Sequence, residues 1–399
     1  MFIHTVENGD TVFKIARKYA TSPMKIIENN ALENPDMLSV GEQLLILTPT
    51  RTYTVRGADT LARIARRFGV RRELLLANNP YLCGEDKTYP SEVLAIKYDA
   101  PTFGAIAANG YCFKGYDPEK LRRAIPYLTY LTVASVRTDG EKIERLFDDT
   151  PVIEVARNSG RIALMRAYID RDSDFYGKRD DGKRLIDMLI GEAKARGYGG
   201  ITLAAPRGGD CTEGYCEFLL EMRKRLIGCD LILFTEVDLN TEGARADLAD
   251  ASVLMYSKCQ LDDIPSFEAG ERRVFEQYAE EYESGRAFID LPAFAVDGDD
   301  VFEISGALNE AHRGRHELEN DKEKKILSFD YTHFKGTRGE RRKMRFESVE
   351  NVKAKLELVS ELGYMGVSLD VSRTPVSTLM MMHSMFYRAD MPSVGYDDM

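Results

Sequence analysis

A stretch near the beginning of the chain is written twice, and no other feature restricts the fold as much. Residues 4–19, His-Thr-Val-Glu-Asn-Gly-Asp-Thr-Val-Phe-Lys-Ile-Ala-Arg-Lys-Tyr, return at 53–68 as Tyr-Thr-Val-Arg-Gly-Ala-Asp-Thr-Leu-Ala-Arg-Ile-Ala-Arg-Arg-Phe, an offset of 49. Thr5/Thr54, Val6/Val55, Asp10/Asp59, Thr11/Thr60 and Ile15-Ala16-Arg17/Ile64-Ala65-Arg66 coincide. Further on, Asn29-Asn30 answers Asn78-Asn79. Leu44-Leu45-Ile46 answers Leu94-Ala95-Ile96 at an offset of 50, which implies one inserted residue in the second copy. A repeat of this period is the mark of two small units that fold alike.

The pattern inside each copy predicts a βααβ unit. A short strand (5–6; 53–55) runs into an Asp-Thr pair, whose side chains suit a helix N-terminus. Ile15, Ala16 and Tyr19, or Ile64, Ala65 and Phe68, fall on one face of the helix that follows. A second helix, with Ile26-Ile27 or Leu74-Leu75-Leu76, stops at the Asn pair, and a last strand (43–47; 93–97) closes the sheet. These residues, with the Val40-Gly41-Glu42-Gln43-Leu44 ending, resemble the LysM domain. The resemblance implies modules at 2–48 and 52–97 that bind N-acetylglucosamine-containing glycans, peptidoglycan or chitin, in a shallow groove between two loops. Carried over by position, Gly9, Asp10, Thr11 and Val12 face Asn34, Pro35, Asp36 and Met37 in the first copy. In the second, Ala58, Asp59, Thr60 and Leu61 face the 81–89 region. The second copy departs from the pattern: Gly57-Ala58 reverses the usual order, and Cys83-Gly84-Glu85-Asp86 stands in its second loop. Asp10 and Asp59 also read as plain N-caps, a role compatible with ligand contact.

Residues 98–102 read as a linker, so the remainder is expected to stand as a separate soluble body. Eight apolar runs follow, at 105–111, 128–136, 162–169, 200–204, 231–237, 253–256, 287–294 and 365–371. Between them lie helical patterns at 118–124, 149–158, 184–196, 212–227, 274–284 and 348–362. Strands buried on both faces lose their polar alternation, so this succession predicts an α/β chain with a (β/α)8 TIM-type barrel over 103–392. The seventh connection is overlong. It predicts an α+β insertion at about 297–345, with a helix and two strands (326–331 and 343–346).

The barrel also resembles a known family. Ala107-Ala108-Asn109-Gly110-Tyr111, Ala124-Ile125-Pro126-Tyr127-Leu128-Thr129-Tyr130-Leu131 and Gly363-Tyr364-Met365-Gly366-Val367-Ser368 carry the likeness, with 215–223 and 346–356. They are similar to glycoside hydrolase family 18, in the form joined to LysM pairs in spore cortex-lytic N-acetylglucosaminidases and spore germination proteins. Members of that family place D-G-x-D-x-D-x-E on strand four, where the Glu is the general acid and the Asp before it orients the acetamido nucleophile. Here Gly199 takes the leading Asp position, Ala204 the orienting Asp and Pro206 the acid. Neither Ala nor Pro carries a titratable proton, and a missing general acid costs about 10²–10⁴-fold. The strand-six tyrosine and aspartate become Ser257 and Lys258. The tryptophan floor on strand eight becomes Asp370, in a chain with no Trp. The resemblance therefore implies a barrel without the family's catalytic residues, and Lys258 is expected to pair with Asp370 across the mouth.

Other groups were candidates for chemistry. Asp170, Asp172, Glu236, Asp238 and Asp290 sit near strand ends, where barrel chemistry is done, and Glu236 with Asp238 is the best alternative acid pair. His312 and His316 have metal-like i,i+4 spacing, but Gly314 interrupts the helix and no third ligand stands near, so they read as surface histidines and no metal or cofactor is expected. The six scattered cysteines lack a CxxC pair and read as reduced thiols. The start of the chain shows no signal-peptide pattern, and no run approaches a membrane span. The net charge of −11 falls almost wholly after residue 100, which disfavours nucleic acid. Arg63, Arg66, Arg67, Arg71 and Arg72 crowd one segment, as a solvated helix face or a contact for an anionic polymer. The basic run 338–345 reads as a solvated hairpin edge or a dock for an acidic partner. Together these point to a glycan-binding protein, made in the cytoplasm and placed in the spore envelope. Its barrel is a silent scaffold, with spore coat or cortex proteins as further partners. The alternative is an active N-acetylglucosaminidase of spore cortex peptidoglycan with relocated acids.

Overall fold

The computed structural model describes residues 1–85, 87–170, 175–176, 179–206, 212–239, 247–255, 266–298, 300–335 and 338–389. The first unit runs β1 (Phe2–Thr5), α1 (Val12–Lys18), α2 (Pro23–Asn30) and β2 (Gln43–Ile46). The second repeats it as β3 (Arg51–Thr54), α3 (Leu61–Phe68), α4 (Arg72–Asn78) and β4 (Val93–Lys97). Each has a two-stranded antiparallel sheet, β1 with β2 and β3 with β4. Each has its own small core, Val6, Val12, Ile15, Ala16, Ile26, Leu44 and Ile46 in the first. Val55, Leu61, Ile64, Leu75, Leu94 and Ile96 fill the second.

The Asn that ends each second helix explains why the unit closes. Asn30 Nδ2 donates to Ile26 O and Leu45 O, and its Oδ1 accepts from Leu45 N, all at 2.8 Å. Asn79 makes the same three bonds to Leu75 O, Ala95 O and Ala95 N, again at 2.8 Å. One side-chain amide, half-buried at Asn30 and fully buried at Asn79, thus satisfies a helix-end carbonyl and an edge of the last strand in each copy.

The barrel strands are β5 (Ala105–Cys112), β6 (Tyr130–Thr138), β8 (Ile162–Ile169), β9 (Gly200–Leu203), β10 (Ile232–Asp238), β11 (Ala251–Met255), β12 (Ala287–Leu291) and β18 (Gly366–Asp370). All eight are parallel in that order, and the β18–β5 and β5–β6 pairings close the ring. Helices α5 (Pro118–Ala124), α6 (Thr150–Asn158), α7 (Arg179–Arg196), α8 (Glu213–Ile227), α9 (Arg273–Glu281), α11 (Val349–Glu361) and α12 (Val376–Met385) lie outside it. Two short strands extend the sheet: β7 (Ile143–Arg145) hairpins back on β6, and β19 (Tyr387–Arg388) runs beside β5. Inside, Tyr130, Phe234 and Phe288 meet with ring centroids 5.0–6.1 Å apart, so the barrel is packed rather than hollow. No helix among the described residues is long and apolar enough to cross a membrane.

The insertion is larger than the sequence predicted. β13 (Phe294–Asp297), β14 (Asp300–Glu303), β15 (Glu319–Asp321), β16 (Ile326–Lys335) and β17 (Arg338–Glu347) form one antiparallel sheet in the order β14-β13-β17-β16-β15. Helix α10 (Ile304–Gly314) packs on it through Ile304, Ala307 and Ala311 against Phe329, Met344 and Phe346. Charged residues dominate β14 and β15, which hid their strand pattern.

The barrel is not a free body on a linker. Leu45, Leu47 and Ala77 of the two small units belong to the same buried cluster as the barrel's helix-facing core. Leu318 N donates to Val40 O at 2.7 Å, and Gly41, at φ +87°, leaves space that a Cβ would close to 2.0 Å from Leu318 O. His312, expected at the surface, is buried with its Nε2 2.8 Å from Glu42 Oε2. On the second unit, Tyr127 Oη donates to Ala77 O at 2.6 Å and His383 Nε2 meets Asn78 Oδ1 at 2.9 Å. Lys25 joins the two units, buried between Glu28 (2.5 Å), Asn79 Oδ1 (3.3 Å) and the Tyr81 ring.

Candidate functional site

The loops before α1 and α3 are built the same way. Thr11 Oγ1 accepts from Lys14 N at 3.2 Å and Thr60 Oγ1 from Arg63 N at 3.3 Å, so threonine is the N-cap in both. The aspartates, read from sequence as caps, close the turn before it. Asp10 accepts from Glu7 N and His4 Nε2, both at 2.9 Å; Asp59 accepts from Arg56 N at 2.9 Å and Tyr53 Oη at 2.6 Å. The Tyr53 hydroxyl and then the Arg56 amide hold the Asp59 carboxyl below its ordinary value. Burial works the other way at Asp10, but the Glu7 amide and His4 outweigh it. A cation ties each loop: Lys14 Nζ donates to Gly9 O at 2.6 Å, and Arg63 Nη1 to Ala58 O at 2.8 Å.

Gly9, Thr11, Asp36 and Met37 are exposed, and Pro35 is half-buried. Ala58 and Thr60 are exposed as well. Val12 and Leu61 point into the cores, so their side chains are not part of an open groove. Sequence reasoning missed Phe13, which is 72% exposed beside Val12, while the second copy has Ala62 there. An aromatic at a surface helix position inside a recognised loop was the available signal. In the second copy Tyr89 is the exposed aromatic, and Thr88 Oγ1 donates to Asp59 O at 3.3 Å, joining its two loops. Gly84, at φ +71°, lies with its missing Cβ position 2.7 Å from Arg122 O, so this loop is pinned to the barrel.

The other candidate site is the inward face of the barrel at the C-terminal ends of its strands. A polar belt marks the depth just below it: Thr132 Oγ1 bonds Asn109 Oδ1 (2.9 Å) and Thr202 Oγ1 (3.2 Å), and Asn109 Nδ2 reaches Ser368 Oγ (3.4 Å). Thr202 faces inward, so two residues on Ala204 does too; it and Pro206 are buried. Register places Arg166 of β8 level with Thr202 and Thr235 of β10 level with Leu203. Arg166 and Glu236 therefore join across the inward face of β9, with Nε–Oε1 at 2.5 Å and Nη2–Oε2 at 2.8 Å. Glu236 keeps Arg166 charged although burial alone would lower its affinity for the proton. The best alternative acid from sequence is thus committed to an ion pair.

Other titratable groups lie on the barrel strands or at their ends. The Tyr111 hydroxyl is buried without a hydrogen bond of ordinary geometry, and burial raises it well above the usual phenol range. Burial also pushes the Asp290 carboxyl up to about 7, with Glu236 adding to the rise. Asp370 accepts from Ser372 N (2.8 Å) and Arg373 N (3.3 Å), with Arg373 Nε at 3.7 Å. Asp238 ends β10, partly buried. Asp170 pairs with Arg137. Asp172, Ser257 and Lys258 lie outside the described residues, and so does the expected Lys258–Asp370 pair.

Comparison with known proteins agrees with this division. Residues 4–47 and 53–81 match the LysM domain. The Bacillus subtilis protein YdhD, named as a sporulation-specific glycosylase, is 26% identical over 264 residues, covering 60% of this chain and 59% of YdhD. The cell wall-binding protein YocH of Bacillus subtilis is 32% identical over 110 residues, 26% of this chain and 37% of YocH. The chain thus spans little more than half of the one relative and about a third of the other. Among solved structures, the spore cortex-lytic enzyme SleL of Bacillus megaterium superposes with a TM-score of 0.74 at 20% identity, over 97% of this chain and 98% of SleL. At the head of the chain stand two LysM domains, and behind them a (β/α)8 barrel with the fold of a spore cortex-lytic enzyme.

Proposed function

We propose that the protein binds N-acetylglucosamine-containing glycan, peptidoglycan above all, in the spore envelope, and that its barrel is a catalytically silent scaffold. The observation that carries the second half is the inward face of β9. By the motif alignment Ala204 and Pro206, just past the end of β9, take the places where the resembled family keeps its orienting and acid carboxyls, and the nearby Glu236 is held in a two-bond pair with Arg166. A substrate-assisted hydrolase still needs one proton donor within reach of the glycosidic oxygen, and Ala and Pro offer none. The first half is supported by the two loops with matched bonding and by similarity to a cell wall-binding protein. Placement in the spore envelope, with coat or cortex proteins as partners, follows from similarity to YdhD and the fold of SleL.

One observation favours the competing reading of an active N-acetylglucosaminidase. Asp290, whose carboxyl burial raises to about 7, lies on β12 of the same barrel near Glu236. Mass spectrometry of spore cortex incubated with the purified protein decides between them. Unchanged muropeptides are expected; new reducing ends at N-acetylglucosamine would overturn the silent barrel.

A further inference from the structure

The chain has two basic runs, and the structure treats them oppositely. In β17, Arg342 pairs with Asp297 (3.0 Å) and Asp300 (3.2 Å), Arg341 with Asp330 (2.9 Å) and Lys343 with Glu319 (2.7 Å). These three basic side chains of the run are neutralised within the insertion. In the second LysM unit, Arg51, Arg56, Arg63, Arg66 and Arg67 are all exposed, and none has a carboxylate at ion-pair distance among the described residues. Their nearest neighbours are rings, carbonyls and the Tyr53 hydroxyl, which accepts from Arg67 Nη1 at 3.1 Å, while Asp59 acts on Arg56 and Arg67 from beyond ion-pair distance. Arg51 lies over Phe68 at 4.6 Å, Arg67 over Tyr53 at 5.1 Å, and Arg63 holds Ala58 O. Residues 51–97 carry nine basic and five acidic side chains, whereas residues 2–48 carry four and six. An unneutralised cationic face on a chain of net charge −11 is a local choice rather than an overall bias.

We infer that this face is an anion-recognising extension of the second glycan loop, and that it fits a glycan strand carrying carboxylates, such as the lactyl and stem-peptide groups of peptidoglycan, over a neutral one. Arg56 precedes the loop and Arg63 is bonded to it, while Arg66 and Arg67 continue along the same helix at one-turn spacing. Arginine suits the task because its planar fork stays charged and matches carboxylates in pairs. The rings beneath Arg51 and Arg67 hold two of the guanidinium planes against the surface. The inference rests on the glycan-binding reading proposed above and names the substrate class that the second copy selects.

The test compares the full-length protein with the triple variant Arg56→Gln, Arg66→Gln, Arg67→Gln, leaving Arg63 in place because it shapes the loop. Each is sedimented with purified peptidoglycan and with chitin, at low and at high sodium chloride, after thermal melts establish that both are folded. The wild type's peptidoglycan binding should weaken toward the variant's level as salt shortens the screening length below about 10 Å, and the variant should bind peptidoglycan roughly five- to tenfold more weakly at low salt with little salt dependence. Chitin binding should be equal in both proteins. A variant that keeps wild-type peptidoglycan binding and salt dependence, or that loses both polymers together, overturns the inference. A wild type that binds neither polymer overturns the glycan reading itself.

Discussion

The LysM pair and the barrel mouth have changed in different ways. In the two LysM copies the bonds that shape the loops recur residue for residue: threonine caps, aspartate turns, a cation on the loop carbonyl and an asparagine on the last strand. What differs between them lies on the surface, Phe13 against Ala62 and a charge balance that shifts from acidic to basic. In the barrel the eight-stranded ring is complete while two of the carboxylates near the strand ends are taken up within the chain, Glu236 by Arg166 and Asp370 by its own loop. A loop that must stay open keeps its backbone bonds and varies its exposed side chains. On the silent-barrel reading proposed above, a pocket without turnover is free to pair its buried charges internally.

The largest effect expected of any variant is one that should fail to appear. Restoring Ala204→Asp and Pro206→Glu supplies the carboxyls of the resembled motif, and a working general acid is worth about 10²–10⁴-fold in rate. The restored aspartate would sit on β9 next to Glu236, with Arg166 already engaged in two bonds. Hydrolysis of N-acetylglucosamine oligomers should therefore stay at background in the double variant. Robust turnover would show that the mouth is otherwise intact and that the contrast with the LysM loops is confined to two residues.

A second variant tests how far the mouth depends on its own pairing. Arg166→Met leaves Glu236 buried beside Tyr111 and Asp290 without its partner, a change that costs about 3–5 kcal/mol for a buried ion pair. The double variant Arg166→Met, Glu236→Met removes the orphaned charge and should recover most of that loss, since apolar replacements of both partners are often neutral. Denaturant midpoints of the three proteins measure it. Peptidoglycan sedimentation should not change in either variant. An Arg166→Met protein of wild-type stability would mean that the pair is solvated and does not close the mouth.

Much of this was legible in the sequence because repetition and periodicity report backbone bonding. The offset of 49 gave both LysM units, and the apolar runs gave all eight barrel strands, because burial on both faces removes polar alternation. On β9, Thr202 faces the interior, and Ala204 follows it by two residues just past the strand's end. Contacts between distant segments were not legible. Nothing local to His312 announces Glu42, 270 residues away, and nothing near residues 98–102 says that Leu45 and Leu47 pack into the barrel core. The Arg166–Glu236 pair was hidden for the same reason, since Arg166 sits in an apolar strand where one charge reads as an exception.

The two strand-closing asparagines sharpen the comparison within the LysM pair. Asn30→Ala and Asn79→Ala each leave a strand amide and two carbonyls without their partner, at about 1–3 kcal/mol for an unsatisfied buried group. Asn79 also accepts from the buried Lys25 that joins the units, whereas Asn30 has no bond of that kind. Asn79→Ala should therefore destabilise the protein more than Asn30→Ala, by about 1.5–3 kcal/mol on the scale of one hydrogen bond to a charged group. Chemical denaturation of both variants gives the difference. Equal losses would mean that Lys25 is held by Glu28 and the Tyr81 ring alone.

The smallest effect separates the two units by pH. The second is docked through His383, whose Nε2 meets Asn78 Oδ1 at 2.9 Å against the edge of the Tyr127 ring. Burial, and then the charge of Arg388, lowers the histidine to about 4 from an ordinary value near 6.5. The folded protein therefore binds this proton less readily than the unfolded chain does. Its contribution is fully present above about pH 6.5 and is lost progressively as the pH falls toward 4, where the folded state also begins to take up the proton. Hydrogen exchange in α4 should accelerate over that window relative to α2 in the first unit, which also packs on α12 but whose unit meets its own histidine, His312, through Glu42 at the insertion. Replacing the titrating ring, His383→Asn, should flatten the response of α4 and leave that of α2 unchanged. If α4 in the variant still loosens between pH 6.5 and 4 as it does in the wild type, the acid sensitivity belongs to carboxylates elsewhere and the two docks are alike.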